Sequence, residues 1–514
     1  MPLLPGTRTL TSCTHTQPDD TETHREPAAR QTKHSHSRTE GKTHSTMGCC
    51  NKEQGLIAGA VIGAVVAILG GILFPVGDSI IKGTVEKESV IEPGTTAYDT
   101  WTSTGPPVYR QFWFFDVKNP LEVVQNGAKP EVMEKGPYTY RTRILPRANI
   151  TFNPNGTASF LMPLNAVFEP AMSVGPEEDN ITSINLAVAG AYSLLPKELH
   201  FILNNQIKSS NSSLFQYRTV KELLWGYTDP MLNKTLGAFV PFNGTFDGFY
   251  TVYSGKEDIS RVGIIDMWKG ERSLSFWNDT YCDMINGTDA SAFPPFLDKK
   301  KPLYFFSSDI CRSVSASYEK SIDLKGIHLY RYTLLASTLA SPTVNPDNKC
   351  FCKNPTTTRN CTLGGVLDIA PCKDLTSIFI SLPHFLHASP YLREAVLGLN
   401  PIEEHHKTFL DVEPTTGFSM RFAKRIQVNM MYGPSKVITI LNKVQDYTIF
   451  PLLWMNETGE LDQATADMFK KELISRIDML ETIQQVLLGL GLSAFAGCLI
   501  SYCVVRSRRS KSGF

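Results

Sequence analysis

The chain has 514 residues, and its 50 Lys plus Arg are balanced by 50 Asp plus Glu, so the formal net charge at pH 7 is zero. That balance supplies no basic field and excludes a nucleic-acid-binding role. Hydrophobic residues make up 42% of the chain, but two uncharged apolar stretches near its ends concentrate them, and the region between is polar enough to face water.

Residues 1–46 are Thr, His, Ser, Arg and Pro with few large apolar side chains, a composition that cannot repay the entropy of ordering and reads as a disordered tail. Met47-Gly48-Cys49-Cys50 then offers a second possible start, with 47–54 as a short cytosolic head. Myristoylation of Gly48 is disfavoured, because Lys52 stands where the motif needs Ser or Thr.

Gly55 to Phe74 contains no Asp, Glu, Lys or Arg and has the roughly 20 residues that a helix needs to cross a bilayer, which sets a first transmembrane helix at 55–76. It should be an uncleaved anchor, since the run is long for a signal peptide and Pro75 occupies the cleavage position. Gly55, Gly59 and Gly63 form a small-residue stripe that lets another helix approach, either the second span or another copy.

Residues 77–482 should form one extracellular domain. It carries ten N-x-S/T acceptors, at Asn149, Asn155, Asn180, Asn211, Asn233, Asn243, Asn278, Asn286, Asn360 and Asn456. Strands dominate: Val108 to Val117, Leu329 to Leu335, and Phe418 to Met431, where even positions are apolar except Lys424, giving a half-buried antiparallel strand. Helices gather at about 184–232. Thr219-Val-Lys-Glu222 reads as a capping box, and Pro196 opens a helical segment closing near Lys208, so a helical cap should sit on the β body.

Six of the eleven cysteines (Cys282, Cys311, Cys350, Cys352, Cys361, Cys372) fall in the disulfide region 282–372, an even count that predicts three disulfides among fifteen possible pairings. No His lies in that cluster, which argues against zinc, and no metal or cofactor is expected. His384, His387, His405 and His406 read as structural or surface histidines. No G-x-S-x-G, P-loop or H-E-x-x-H motif occurs, and no enzyme is expected.

Ile483 to Val505 forms a second transmembrane helix, and Arg506, Arg508, Arg509 and Lys511 in the tail 506–514 place that tail in the cytosol. Cys49, Cys50 and Cys503 lie at the membrane face, where each is either acylated or a plain thiol; Cys498, inside the span, reads as packing. Neither span has an acidic residue or polar stripe to line a pore, which disfavours a channel. An adhesion glycoprotein without lipid transport fits the same outline.

The segments GLIAGAVIGAV from Gly55, YRQFWFFDV at Tyr109 to Val117, KGPYTYR at Lys135 to Arg141, LLWGY at Leu223 to Tyr227, CDMINGT at Cys282 to Thr288, SSDICRS at Ser307 to Ser313 and SLPHFLHASP at Ser381 to Pro390 closely resemble the class B scavenger receptor family, over residues 47 to about 509. The resemblance implies a mainly β ectodomain, an irregular antiparallel β-barrel crowned by an apical helical bundle and containing an internal lipid tunnel. It implies uptake of long-chain fatty acids, binding of oxidised low-density lipoprotein and thrombospondin, and signalling with Src-family kinases, integrins and toll-like receptors. The setting it implies is the plasma membrane, with membrane rafts and the Golgi as further sites.

By position, the resemblance also implies pairing of Cys282 with Cys350, Cys311 with Cys372 and Cys352 with Cys361, and palmitoylation at Cys49 and Cys503, whereas Cys50 and Val505 depart from the family spacing. Thrombospondin binding would map to about Pro137 through Asn204. Relatives carry two apical lysines one residue apart; here only Lys208 stands nearby, either as a ligand-binding cation for a lipid carboxylate or as a solvated lysine at a helix end. Asn211 could place a sugar beside it.

Overall fold

The computed structural model describes residues 52–103, 105–373 and 378–511. The expectations for the tail 1–46 and for Cys49 and Cys50 lie outside the described residues.

Two long helices frame the chain. Lys52–Ser89 has 38 residues, about 57 Å at 1.5 Å per residue and well beyond a ~30 Å hydrocarbon core. Its apolar part ends near Pro75; Asp78, Lys82, Glu86 and Lys87 follow on the same helix, with Lys82 and Glu86 paired across one turn at 3.8 Å. The second long helix, Ser475–Lys511, runs antiparallel against it. An added Cβ at Gly63 would lie 2.5 Å from the Phe495 backbone nitrogen, one at Gly70 would lie 2.7 Å from that of Leu488, and one at Gly59 would lie 2.7 Å from Cys498 Sγ. The small-residue stripe therefore serves the second span of the same chain, and Cys498 packs into it. Gly55 is the exception, with nothing within 4 Å, and Gly77 and Gly491 extend the seam instead. Gln484, inside the span, donates to Leu73 O at 2.8 Å, which satisfies a polar side chain where water is absent.

The body between the helices is an eleven-stranded antiparallel sheet. Its strands are β1 (Val108–Val117), β2 (Val132–Thr142), β3 (Ala166–Phe168), β4 (Leu303–Ser307), β5 (Arg312–Leu324), β6 (Ile327–Leu334), β7 (Leu367–Asp368), β8 (Ile378–Ser381), β9 (Phe409–Val412), β10 (Ser419–Tyr432) and β11 (Thr448–Glu460). Their order is β4-β5-β6-β9-β10-β11-β1-β2-β3, with β8 joining the flank of β10 and β7 pairing with β8. The register sets Trp113 opposite Trp454, and their rings stack 3.9 Å apart, nearly parallel. A four-stranded antiparallel sheet, ordered Ile265–Trp268, Thr245–Tyr253, Thr157–Leu164 and Ala148–Phe152, packs alongside.

β10 departs from the half-buried reading. Its first half alternates, but Gln427 and Asn429, on the polar face, are fully buried because β8 and the turn at His384 cover them. Burial is tolerated because every amide is used: Gln427 donates to Asn429 Oδ1 at 2.7 Å and accepts from His384 N–H at 2.6 Å, and Asn429 donates to Phe379 O at 2.9 Å.

The helical cap comprises Leu186–Leu194, a 3-10 turn Lys197–Leu199, His200–Ser209 and Val220–Trp225, seated on the hairpin of Asn180–Ile184 with Phe215–Thr219. Thr219 Oγ1 accepts from Glu222 N–H at 3.1 Å while the Glu222 carboxylate accepts from Thr219 N–H at 2.9 Å, which is the expected capping box. The first cap helix is buried through Ala187, Val188, Ala189 and Tyr192, the reason an apolar run too short to span is helical.

Candidate functional site

At the apex, Lys208 lies in the last turn of His200–Ser209, whose alternate face buries His200, Leu203 and Ile207. Lys208 is exposed and makes no ion pair among the described residues. Phe201, Asn205 and Lys208, at i, i+4 and i+7, share one exposed face, and Phe201 is 54% exposed beside Ile202 at 43%. An apolar surface next to an unpaired ammonium can take a chain with an anionic end. Asn211, exposed and with left-handed backbone (φ 52°), follows directly.

Under the cap, charges that sequence reasoning missed converge inside the sheet. β1, β10 and β11 bring Arg110, Lys424 and Glu457 together, since both Arg110 and Lys424 stand opposite Glu457 in the register. Arg110 Nη2 lies 2.9 Å, Lys424 Nζ 3.2 Å and Arg143 Nη2 3.2 Å from the Glu457 carboxylate, and Lys424 also pairs closely with Asp309. Burial alone would push Glu457 up, but Arg110, Lys424 and Arg143 outweigh it and hold the carboxyl well below the usual range. Asp309 is likewise raised by burial but carried down to about 2, chiefly by Lys424 and Arg110. Lys424, the exception in the apolar pattern of β10, thus has a structural use, and that exception was the only signal of the cluster in the sequence.

A second buried group joins β1, β2, β11 and the 383–406 segment. The rings of His384 and His406 stack 4.5 Å apart; His384 Nε2–H donates to Glu134 Oε2 at 2.6 Å, and Trp454 Nε1–H donates to the same oxygen at 2.8 Å. Although Glu134, His384 and His406 are close enough to share a cation, His384 Nδ1 accepts from Asn400 N–H at 3.1 Å and His406 Nδ1 from Ile402 N–H at 2.9 Å. With Nδ1 accepting, each ring carries a proton on Nε2, the atom a metal would need, and the donor set suits structure rather than ligation.

Beside the end of the first long helix, at Ser89, a small cavity is lined by Ser89, Ile91, Trp101, Val252, Phe293 and Phe418 among others. Arg147 forms part of its wall, ion-paired with Asp289 at 2.8 Å and stacked over Trp101 and Phe160. Burial lowers the affinity of Arg147 for its proton despite Asp289, while Asp289 stays below its ordinary value because Arg147 overcomes its own burial.

Disulfides join Cys282 to Cys350, Cys311 to Cys372 and Cys352 to Cys361, with Cα separations of 6.2, 6.3 and 6.0 Å. Cys503 is an exposed free thiol in the second long helix. Of the acceptor asparagines, Asn149, Asn155, Asn180, Asn211, Asn233, Asn243, Asn278 and Asn360 are exposed, while Asn286 and Asn456 are half-buried. Asn456 sits on β11 with its Nδ2 donating to Gln111 Oε1 at 3.0 Å.

The CD36 family profile matches residues 61–502. Scavenger receptor class B member 1 of Rattus norvegicus is 33% identical over 482 residues, spanning 90% of this chain and 92% of the relative. The Mus musculus protein of the same name is 35% identical over 446 residues, spanning 84% and 86%. Lysosome membrane protein 2 of Mus musculus is 33% identical over 483 residues, spanning 90% and 96%. Two terminal apolar helices, a β-rich antiparallel body between them and a match that runs from one helix to the other all lead to one conclusion: the chain belongs to the CD36 family, the family of the class B scavenger receptors.

Proposed function

We propose that this protein is a cell-surface receptor that captures long-chain fatty acids and oxidised or otherwise modified lipoproteins at its helical cap and passes lipid through the ectodomain toward the membrane. The observation that carries the reading is the apolar cavity beside the end of the first long helix, on the side of the body from which that helix runs to the membrane. The exposed Phe201, Ile202 and Lys208 supply a matching apolar and cationic surface at the opposite end. A charge-assisted bond from Lys208 to a carboxylate contributes about 1.5–3 kcal/mol, roughly ten- to a hundredfold in affinity.

Thrombospondin binding, acylation at Cys503, glycan occupancy and residence at the plasma membrane belong to the same proposal. Lysosome membrane protein 2 bears the name of another compartment, so surface biotinylation of intact cells is part of the test. The main experiment titrates a long-chain fatty acid into the delipidated, detergent-solubilised full chain. Saturable binding, weakened about tenfold or more in Lys208→Ala and kept in Lys208→Arg, supports the reading. Saturable binding indifferent to Lys208 removes the apical cation, and no binding at all leaves an adhesion glycoprotein.

A further inference from the structure

We propose that Arg312 holds a small monovalent anion, chloride or a short carboxylate, in the cavity beneath the Cys352–Cys361 loop. Arg312 opens β5 directly after Cys311, whose disulfide to Cys372 pins the strand end, and the residue is only 7% exposed. Its guanidinium lies 3.7 Å over the ring of Phe351, Nη1 donates to Thr338 O at 3.1 Å, and Nε donates to Ser313 O at 3.4 Å. Those partners are carbonyl dipoles. Among the described residues no carboxylate forms an ion pair with it, whereas the buried Arg110 and the half-buried Arg147 are paired with Glu457 and Asp289. A largely buried guanidinium whose partners are only carbonyl dipoles, and whose free Nη2 still reaches solvent, favours a negative partner.

The cavity has room for one. Its wall includes Arg312, Lys353, Asn348, Thr358 and Asp368. Asp368 does not fill the role: burial pushes its carboxyl above the ordinary value, opposite to what a nearby guanidinium would do. Burial likewise takes Arg312 down to about 10. The donors of the wall are largely spent, since the Asn348 amide serves the carbonyls of Ser337 and Ala340 and Lys353 serves that of Trp277. What remains is the Arg312 fork, whose Nη2 is bonded to nothing among the described residues and is not sealed from solvent. The Arg312 fork beside Lys353, with few free donors, suits a single small anion rather than a phosphate ester, which needs more donors.

The test is thermal unfolding of the detergent-solubilised full chain at constant ionic strength, with chloride replacing a bulky sulfonate. Binding to the folded state raises Tm by about 1–2 °C for each tenfold of anion above its Kd. The rise is expected with chloride and bromide, absent in Arg312→Gln and retained in Arg312→Lys; an acetate series identifies whether a carboxylate substitutes. Because Arg312→Gln can fail to fold, bromide anomalous scattering from crystals of the unsubstituted chain gives an independent reading, and a peak within hydrogen-bonding distance of the guanidinium supports the site. A Tm indifferent to chloride, or a dependence unchanged in Arg312→Gln, overturns it.

Discussion

Acid should weaken the fold through His406. The ring is 4% exposed, and burial, with His384 and Arg425 adding in the same direction against Glu134, holds its pKa down to about 4 from the ordinary 6.5. Nδ1 accepts the Ile402 N–H, so the incoming proton would break that bond and charge a ring stacked on His384. A base with a depressed native pKa binds fewer protons folded than unfolded. Its contribution to stability is therefore complete above pH 6.5, declines as pH falls toward 4 and is exhausted below that. The full change, from 6.5 to about 4, corresponds to about 3 kcal/mol, of which about 2 kcal/mol is lost by pH 5. Spread over an ectodomain of this size, that is about 2 °C in Tm. The assay is thermal unfolding of the full chain from pH 7.5 to 4.5, comparing the unsubstituted chain with His406→Asn, whose amide oxygen can take over the Ile402 bond. The variant should lose the part of the acid slope that this histidine contributes. Identical slopes in the two proteins would refute the reasoning.

Two further outcomes follow from the buried contacts. Glu457→Gln removes the shared counter-charge of Arg110, Lys424 and Arg143, so it should cost about 3–5 kcal/mol and hold the chain in the endoplasmic reticulum, read as persistent endoglycosidase H sensitivity; normal maturation would contradict the network's role. Gly59→Cys should form an oxidant-induced bond with Cys498, seen as protection of both thiols from maleimide, and adding Gly70→Leu should abolish it by prising the helices apart; bonding undiminished in the double variant would place the seam elsewhere.

Local signals were strong where a residue's neighbours in sequence determine its state. The apolar runs, the alternation in β10 and the Thr219–Glu222 capping box needed only a period or a spacing to be read. The sites were harder. Lys424 looked like a flaw in a pattern until β11 and the 308–311 turn brought Glu457 and Asp309 to it, across tens to more than a hundred residues of chain. Gln427 and Asn429 read as solvent-facing because alternation reports one covered face and is silent about a second strand laid over the other.

By itself the sequence determined that this chain has two membrane-length helices, a β-rich body between them and a helical cap, because burial periodicity, caps and charge are local properties. Only the tertiary structure decided which span the glycine seam serves, which cations share Glu457 and which guanidinium is left without a carboxylate. Those outcomes depend on contacts between residues far apart in sequence, where the desolvation of each charge is set by whatever the fold packs against it.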